Sequence, residues 1–196
     1  MLPWQTKRIF IIGVLQSFIM EPVYLDFSRL SKYNFNRINQ KDEREFIMEI
    51  IEYFSSENRE HWLYEIEKSD WGAGKFPFKL LKEEKLKETV GENVEVLLLT
   101  NGEKLVSFCT FADFDDIQPT ELTPWIGFVY TFPKYRGNRN AGKLLAAAEK
   151  LAKEKGFEKI HISTNHVGLY EKYGYEFFKT MKDIGGEDSR VYIKNL

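Results

Sequence analysis

The sequence predicts an α+β fold in which helices pack on a mixed sheet. Three observations lead to this class: helical periodicity dominates the first half, a β-hairpin signal lies at the centre, and strands alternate with helices in the second half. The 196 residues are the length of one domain. Hydrophobic residues make up 43% and charged residues 30%, which supports a packed core and argues against disorder.

The first half is predicted to be mainly helical. Weak alternation predicts a strand over residues 25–30, and five apolar side chains at helical spacing predict a helix over 41–56. A second amphipathic helix is predicted over 57–68, followed by a loop over 69–74 and a helix over 80–90 that ends before a glycine. The five apolar side chains are Phe46, Ile47, Ile50, Ile51 and Phe54.

The second half is predicted to contain mainly strands. Asn101-Gly102 favours the left-handed dihedrals of a tight hairpin turn, so strands are expected on both sides of it. A helix over 141–155 has its apolar residues on one face, and Gly156 follows it. Predicted strands cover 94–100, 105–112, 125–132, 159–164, 175–181 and 190–194, and a short helix covers 166–173.

The first twenty residues allow three interpretations. An apolar stretch over 9–20 follows Lys7-Arg8, but it is shorter than the ~20 residues that span a bilayer. It is a buried strand or helix, a secretory signal, or an artefact of a start assigned before Met20. We favour the third, so residues 1–19 are expected to be an extension outside the native protein and 20–196 to be the functional domain.

Composition argues against several function classes. The chain has 28 Lys and Arg against 30 Asp and Glu, a balance that disfavours nucleic-acid binding. A single cysteine, Cys109, excludes an intramolecular disulfide and a cysteine-based zinc cluster. The three histidines lack metal-site spacing, so no metal is expected. We expect a cytoplasmic protein with no membrane partner.

The most informative segment is the glycine-containing turn at 135–145, which follows a predicted strand and opens a predicted helix. The first N–H groups of such a helix are unpaired and the helix dipole adds positive charge, so the turn is suited to a phosphate group. Its small residues, which would let a pyrophosphate approach the backbone, are Gly137, Ala141 and Gly142. Residues 134–143 contain four basic side chains and no acidic one, and the basic ones are Lys134, Arg136, Arg139 and Lys143. The alternative is a solvated basic turn that caps an ordinary helix.

Two nucleotide-binding patterns fit this turn poorly. Gly137-x-x-x-x-Gly142-Lys143 nearly matches the P-loop, but Leu144 stands where a hydroxyl must hold magnesium. The dinucleotide fingerprint G-x-G-x-x-G does not occur in the turn. A nucleotide-binding protein therefore remains a less favoured alternative.

The turn and a second motif together resemble the GNAT superfamily of acyl-CoA-dependent N-acetyltransferases. Residues 136–141 (RGNRNA) are similar to the family's [QR]-x-x-[GA]-x-[GA] turn. Residues 165–175 (NHVGLYEKYGY) are similar to its second motif, an asparagine followed by Leu-Tyr-Glu-Lys-x-Gly-aromatic. The likeness covers 94–196 well. Arg139 departs from it, because the family has glycine or alanine at that position.

The resemblance implies a single domain with a mixed, mostly antiparallel central sheet flanked by helices, and acetyl-CoA as co-substrate. It implies that the turn holds the pyrophosphate, and that a strand pairs with the pantetheine arm and offers an N–H to the thioester oxygen. It also implies that Tyr170 is the general acid. The implied cofactor-binding residues are Val129, Tyr130, Thr131, Arg136, Gly137, Asn138, Arg139, Asn140, Ala141, Gly142, Lys143 and Asn165.

The general base is less well indicated. Glu121, Asp115 and Asp116 lie in the predicted loop before the central strand, and Glu121 is our hypothesis. The alternative for each is a solvated loop carboxylate. Four aromatic residues of the N-terminal half belong either to the core or to an acceptor pocket, and they are His61, Trp62, Trp71 and Phe76.

These observations predict an N-acetyltransferase. It would transfer an acetyl group from acetyl-CoA to a primary amine of a small molecule or peptide, by direct attack in a ternary complex. The alternative is a non-catalytic acyl-CoA-binding or regulatory module on the same fold. The acceptor and the oligomeric state are left open, with a homodimer as one alternative.

Overall fold

The computed structural model describes residues 48–70 and 72–196 of the chain. Its strands are β1 (Met48–Glu52), β2 (Glu95–Asn101), β3 (Lys104–Ala112), β4 (Trp125–Thr131), β5 (Lys159–Ser163), β6 (Glu176–Lys182) and β7 (Asp188–Asn195). Its α-helices are α1 (Arg59–Glu67), α2 (Gly72–Lys82), α3 (Leu86–Val90) and α4 (Asn140–Glu154), and two short 3-10 helices are Pro133–Tyr135 and Tyr170–Tyr173. The strands form one sheet in the order β1-β2-β3-β4-β5-β7-β6.

The strand pairing confirms the predicted mixed, mostly antiparallel sheet. Strands β1 to β4 are antiparallel neighbours, and so are β5, β7 and β6. Strands β4 and β5 are parallel, and α4 forms the crossover between them. The turn that leads into α4 therefore lies at the carboxyl end of β4.

Helices cover both faces of the sheet, because β2 sends alternate side chains into two cores. Leu97 and Leu99 pack in a cluster with the buried face of α4, which includes Leu144. Val96 and Leu98 pack in a second cluster with α1, α2 and α3. This period of two is that of a strand buried on both faces, and it places the N-terminal helices and α4 on opposite sides of the sheet.

The central hairpin is confirmed. Strands β2 and β3 pair as far as Asn101↔Lys104, and the turn between them contains Gly102 at a φ of 59°. Glycine adopts this φ without steric cost. Cys109 of β3 is fully buried, and burial raises the pKa of its thiol to about 12, so it is an unreactive core residue.

The prediction of a helix over 41–56 is wrong in its described part, because Met48–Glu52 form β1. Ile50 of this strand pairs with Leu99 of β2. Helical spacing of apolar residues is also compatible with a short strand, and the exposed edge of β2 provides the backbone partners that decide between them. The extension over 1–19 and the strand over 25–30 stay predictions, because residues 1–47 lie outside the described residues.

Three helical segments differ in detail from the predictions. The predicted loop over 69–74 includes the start of α2. The predicted helix over 80–90 is interrupted after α2 by Glu84, whose φ is 57°, and resumes as α3. The predicted helix over 166–173 is shortened to the 3-10 helix Tyr170–Tyr173, which ends at the left-handed Gly174. Within residues 48–70 and 72–196, none of the helices has the length and apolar character needed to cross a bilayer.

Candidate active site

A cleft opens where β4 and β5 separate. The two strands are parallel neighbours, but only Trp125↔His161 pair in register between them. The remainder of β4, the end of β5 and the turn into α4 line a cavity of about 1750 Å³. A concave site at the carboxyl ends of parallel strands is a common place for ligand binding.

Strand β4 carries a bulge beside this cleft. Its register with β3 slips between Gly127 and Tyr130, so that Phe128 and Val129 both lie opposite a single residue of β3. Phe128 has a φ of 49°, in the left-handed region. A bulge leaves backbone groups without ladder partners and bends the strand. Strand β4 can therefore offer backbone N–H groups to a ligand in the cleft.

Gly127 leaves room for a carboxylate next to the bulge. A Cβ atom at this position would lie 3.1 Å from Asp115 Oδ1 and 3.0 Å from Thr110 Oγ1. Both contacts are shorter than ordinary van der Waals distances. The absence of a side chain at Gly127 therefore allows the Asp115 carboxylate to lie against β4.

Asp115 lines the cleft and is partly buried there. Burial disfavours the charged form of its carboxyl group, and the negative charge of Asp116 adds to this effect, so the pKa of Asp115 is raised to about 8. A carboxyl group with a pKa near neutral pH can both accept and release a proton under physiological conditions. Asp115 is thus placed and tuned for proton transfer.

Glu121, our hypothesis for the base, lies in a different place. It lines a separate cavity of about 380 Å³ together with Phe157 and Lys159. The loop before β4 contains Glu121 as well as Asp115 and Asp116, and it folds so that Asp115 and Asp116 line the large cleft. Nothing in the local sequence distinguishes the three carboxylates. The clue to Asp115 is its contact with Gly127, which depends on how the loop folds back over β4.

The turn into α4 has the backbone form expected for an anion site. Gly137 has a φ of 82°, and apart from its chain neighbours no atom of residues 48–70 and 72–196 lies within 4 Å of the place where its Cβ would be. Arg139 is left-handed, with a φ of 54°, immediately before the first helical residue. Arg136 donates from Nε to the Thr131 carbonyl at 2.9 Å, and its Nη2 lies 3.5 Å from Asp70 Oδ1. The turn thus offers open backbone and basic side chains to the cleft.

Two asparagines hold the shape of this turn. Asn140 is buried and donates from Nδ2 to the Tyr135 carbonyl at 2.9 Å. Asn138 donates from Nδ2 to the carbonyls of Tyr135 and Arg136, at 3.3 and 3.2 Å. Both amides satisfy carbonyls inside the turn. This structural role is additional to their predicted role in cofactor binding, which stays a prediction.

Gly142 brings the two motifs together. A Cβ atom at this position would lie 2.4 Å from Tyr173 Cε1, closer than real Cβ contacts allow. Helix α4 therefore packs directly on the 3-10 helix Tyr170–Tyr173. The small size of Gly142 accommodates the Tyr173 ring, and its contact with a pyrophosphate stays a prediction.

Gly142→Ala is expected to lower the free energy of unfolding by roughly 1–3 kcal/mol, because overpacking moves the Tyr173 ring or α4. The measurement is chemical denaturation monitored by circular dichroism. The control introduces the same change into a Tyr173→Ala background, where the clash is gone and alanine is expected to add up to about 1 kcal/mol through its helix propensity. Equal losses in both backgrounds would show that the Tyr173 contact is not the reason for the glycine.

Arg139→Gly is expected to stabilise the fold and weaken cofactor binding. The left-handed conformation costs a non-glycine residue about 1 kcal/mol, which glycine recovers. Loss of the cation is expected to raise the Kd for CoA roughly fivefold, since a unit charge at about 4 Å contributes about 1 kcal/mol in water. Denaturation and isothermal calorimetry measure the two effects. Arg139→Lys keeps the charge and the backbone strain, so its free energy of unfolding and its Kd for CoA should match those of the wild type.

Tyr170 of the second motif is buried at the cleft and lines it. Its ring centroid lies 6.2 Å from that of Tyr175 and 6.4 Å from that of Tyr192, which fixes its position. Burial raises the pKa of the Tyr170 hydroxyl, and the nearby Asp115 carboxylate raises it further. The phenol therefore stays protonated and can act as a proton donor.

The structure brings most, but not all, of the predicted site residues to one cavity. Those that line the cleft are Val129, Tyr130, Thr131, Arg136, Gly137, Arg139, Asn140, Ala141, Asn165 and Tyr170. Those that do not line it are Glu121, Asn138, Gly142 and Lys143. In the described part of the chain, no group of three or more His, Cys, Asp and Glu side chains is arranged to hold a metal ion.

The four aromatic residues singled out in the N-terminal half do not lie together in the structure. Phe76 of α2 lines the cleft, whereas Trp62 of α1 is part of the core beneath the sheet. A ring nitrogen of His61 lies 2.8 Å from the Glu103 carbonyl, at the central hairpin. Trp71 lies outside the described residues. Among these four, Phe76 alone is seen to line the cleft.

Comparisons with known proteins identify the family. The model of the acetyltransferase (GNAT) family matches residues 60–175. No curated protein matches the chain. Many solved structures share its fold, and three of them each cover 76% of this chain. They are an acetyltransferase from Streptococcus agalactiae (24% identity, 98% of that chain, TM-score 0.51), a GNAT acetyltransferase from Elizabethkingia anophelis with acetyl-CoA bound (18%, 98%, 0.54), and an aminoglycoside 6'-acetyltransferase type Ii (15%, 97%, 0.56).

The family match extends over more than half of the chain and includes both motifs that meet at Gly142. It also includes Asp115, the β4 bulge and Tyr170. The chain belongs to the GNAT acetyltransferase family.

Proposed function

We propose that the protein transfers the acetyl group of acetyl-CoA to a primary amine of a small molecule or peptide, by direct attack in a ternary complex. The observation that carries this proposal is that Asp115, the β4 bulge and Tyr170 line one cleft with the phosphate-type turn. A proton acceptor, a set of backbone N–H groups and a proton donor are the groups that acyl transfer to an amine requires.

The residues at the turn fit acetyl-CoA as co-substrate. Gly137 leaves open space beside the backbone, and the first N–H groups of α4 carry the positive end of the helix dipole. Arg136 and Arg139 add positive charge at the same end of the cleft. The related Elizabethkingia structure, which holds acetyl-CoA, supports this assignment. Bound acetyl-CoA would supply the activated thioester, and Asn165 would contact its pantetheine arm.

The residues of this chain would then handle two protons and one developing charge. Asp115 accepts a proton from the acceptor ammonium, which frees the nitrogen lone pair for attack on the thioester carbon. Backbone N–H groups at the Val129 bulge stabilise the oxyanion, an effect of about 10²–10³-fold in comparable sites. Tyr170 donates its proton to the departing thiolate as the carbon–sulfur bond breaks, and the nitrogen then loses a second proton, which restores the Tyr170 hydroxyl. Asp115 releases the first proton to solvent. The products are an amide and free CoA.

The test is to incubate purified protein with acetyl-CoA and a panel of primary amines. The readouts are release of free thiol and the mass increase of one acetyl group on the amine. We expect thiol release that depends on an amine. Absence of thiol release with every amine, together with absence of CoA binding by calorimetry, would contradict the proposal.

A non-catalytic acyl-CoA-binding module is the second candidate, and Arg139 in place of the family's small residue is the observation that favours it. It predicts CoA binding without turnover and no effect of a change at Tyr170. The nucleotide-binding alternative is weakened further, because Leu144 is fully buried in the core and offers no ligand to magnesium.

A further inference from the structure

Three large apolar side chains are exposed on the lining of the cleft. They are Phe76 of α2, Leu169 before the 3-10 helix, and Ile184 between β6 and β7, with exposed fractions of 45%, 36% and 71%. They come from three separate elements of the fold. Exposed apolar side chains that gather at one concave site mark a surface that an apolar ligand can cover.

Phe76 lies near the proposed reaction centre. Its ring centroid is 6.0 Å from that of Phe128, the left-handed residue of the β4 bulge. Phe128 directly follows Gly127, against which the Asp115 carboxylate lies. The aromatic pair and the proposed base therefore meet the same short stretch of β4, so one ligand can contact both.

Two other carboxylates that line the cleft each have an oxygen that is bonded within the fold or enclosed. Asp183 accepts hydrogen bonds from the N–H groups of Gly185 and Glu187, at 2.8 and 2.9 Å. Asp116 Oδ1 is sealed from solvent. These oxygens are committed to the fold or closed to a ligand.

A fourth carboxylate, Asp70, is already paired. It accepts a hydrogen bond from the Tyr130 hydroxyl at 2.5 Å and lies 3.5 Å from Arg136 Nη2. Asp115 forms no salt bridge within residues 48–70 and 72–196. Asp115 is therefore the carboxylate that we assign to the acceptor ammonium, and Phe76 supplies apolar surface beside the same stretch of β4.

We propose that the acceptor is a primary amine whose body is apolar, an arylalkyl or branched alkyl amine, with the apolar group packed on Phe76. This inference rests on the proposed function and names its acceptor class. A polyhydroxylated amine or a polyamine would leave the Phe76 ring uncovered.

The test compares kcat/KM at saturating acetyl-CoA for phenethylamine, ethanolamine and cadaverine, which have an apolar, a hydroxylated and a second cationic group. We expect phenethylamine to be preferred by about tenfold or more, as burial of an aromatic group contributes about 1.5–3 kcal/mol. Phe76→Ala should lower kcat/KM for phenethylamine by about tenfold and leave ethanolamine unchanged. The matched control is Phe178→Ala, a change on β6 outside the large cleft at a side chain of similar exposure, 46%. Phe178→Ala should leave kcat/KM unchanged for both phenethylamine and ethanolamine.

Several outcomes would overturn the inference while leaving acetyl transfer in place. They are a preference for ethanolamine or cadaverine, or equal effects of Phe76→Ala and Phe178→Ala. If no amine is acetylated, the acceptor class is tested separately by calorimetry of phenethylamine binding to the CoA-loaded protein. Binding that Phe76→Ala weakens would support the acceptor class although the proposed function fails, and absence of binding would overturn both.

Discussion

Asp115→Asn is expected to reduce kcat/KM by about 10²–10⁴-fold, the usual contribution of a general base. Asparagine keeps the shape that lies against Gly127 but cannot accept the ammonium proton. The Kd for CoA should stay the same, because we assign Asp115 to the acceptor amine and not to the cofactor. Steady-state kinetics and calorimetry measure the two quantities. Glu121→Gln is the matched control, since Glu121 lines the other cavity, and it should retain wild-type activity.

The wild-type activity should rise with pH and level off near the Asp115 pKa of about 8. Below that pH most of the carboxyl groups are protonated and cannot act as the base. The Asp115→Asn variant should lack this inflection. A pH profile unchanged by the substitution, or a larger loss in Glu121→Gln, would contradict the role of Asp115.

The raised pKa of Asp115 also affects stability. Folding favours the protonated carboxyl group, whereas catalysis needs the deprotonated one. The folded-state pKa of Asp115 is raised from the ordinary 3.8 to about 8, so the folded state favours the protonated form. The wild type therefore loses stability as pH rises from about 4 to about 8, and Asp115→Asn does not. At about pH 9 the variant should unfold with a free energy at least about 1 kcal/mol higher than the wild type, as measured by urea denaturation.

Tyr170→Phe is expected to reduce kcat by about 10²-fold, because the thiolate then departs without a proton donor. The ring contacts with Tyr175 and Tyr192 are kept, so the fold and the Kd for CoA should be unchanged. Single-turnover measurement of thiol release separates this chemical step from product release. The effect tests chemistry and distinguishes an enzyme from a CoA-binding module.

Tyr173→Phe provides the matched control for this variant. Tyr173 lies on the same 3-10 helix and also lines the cleft, so the change removes a hydroxyl from the same region. We expect it to retain activity close to that of the wild type. Equal losses in the two variants would indicate a general effect of polarity in the cleft, and an unchanged kcat in Tyr170→Phe would remove Tyr170 from the mechanism.

Several features could be predicted from the sequence because they depend on neighbouring residues. The Asn101-Gly102 turn predicts its hairpin through backbone dihedrals, and the apolar face of 141–155 predicts α4 through its 3.6-residue period. The glycine-containing turn before α4 predicts an anion site, since a helix start leaves N–H groups unpaired wherever it occurs. These arguments hold over about ten residues and need no knowledge of the rest of the chain.

Other features depend on contacts between segments that are distant in sequence. Residues 48–52 form β1 because their backbone pairs with the edge of β2, although the spacing of their apolar residues indicates a helix. Gly142 is small because Tyr173, from the second motif, packs against it. Asp115 reaches the cleft and Glu121 does not, because the loop folds back over Gly127.

The sequence by itself determined the α+β class, the order of the main elements from Val94 onward and the place of the phosphate-type turn. Only the tertiary structure decided which carboxylates lie in the cleft with a raised pKa, which of them lies against Gly127, and which aromatic side chain lies nearby. Burial and charge proximity set that pKa, and both arise from packing between elements. Local sequence carries dihedral preference and periodicity, whereas desolvation exists only after the chain has folded around the group.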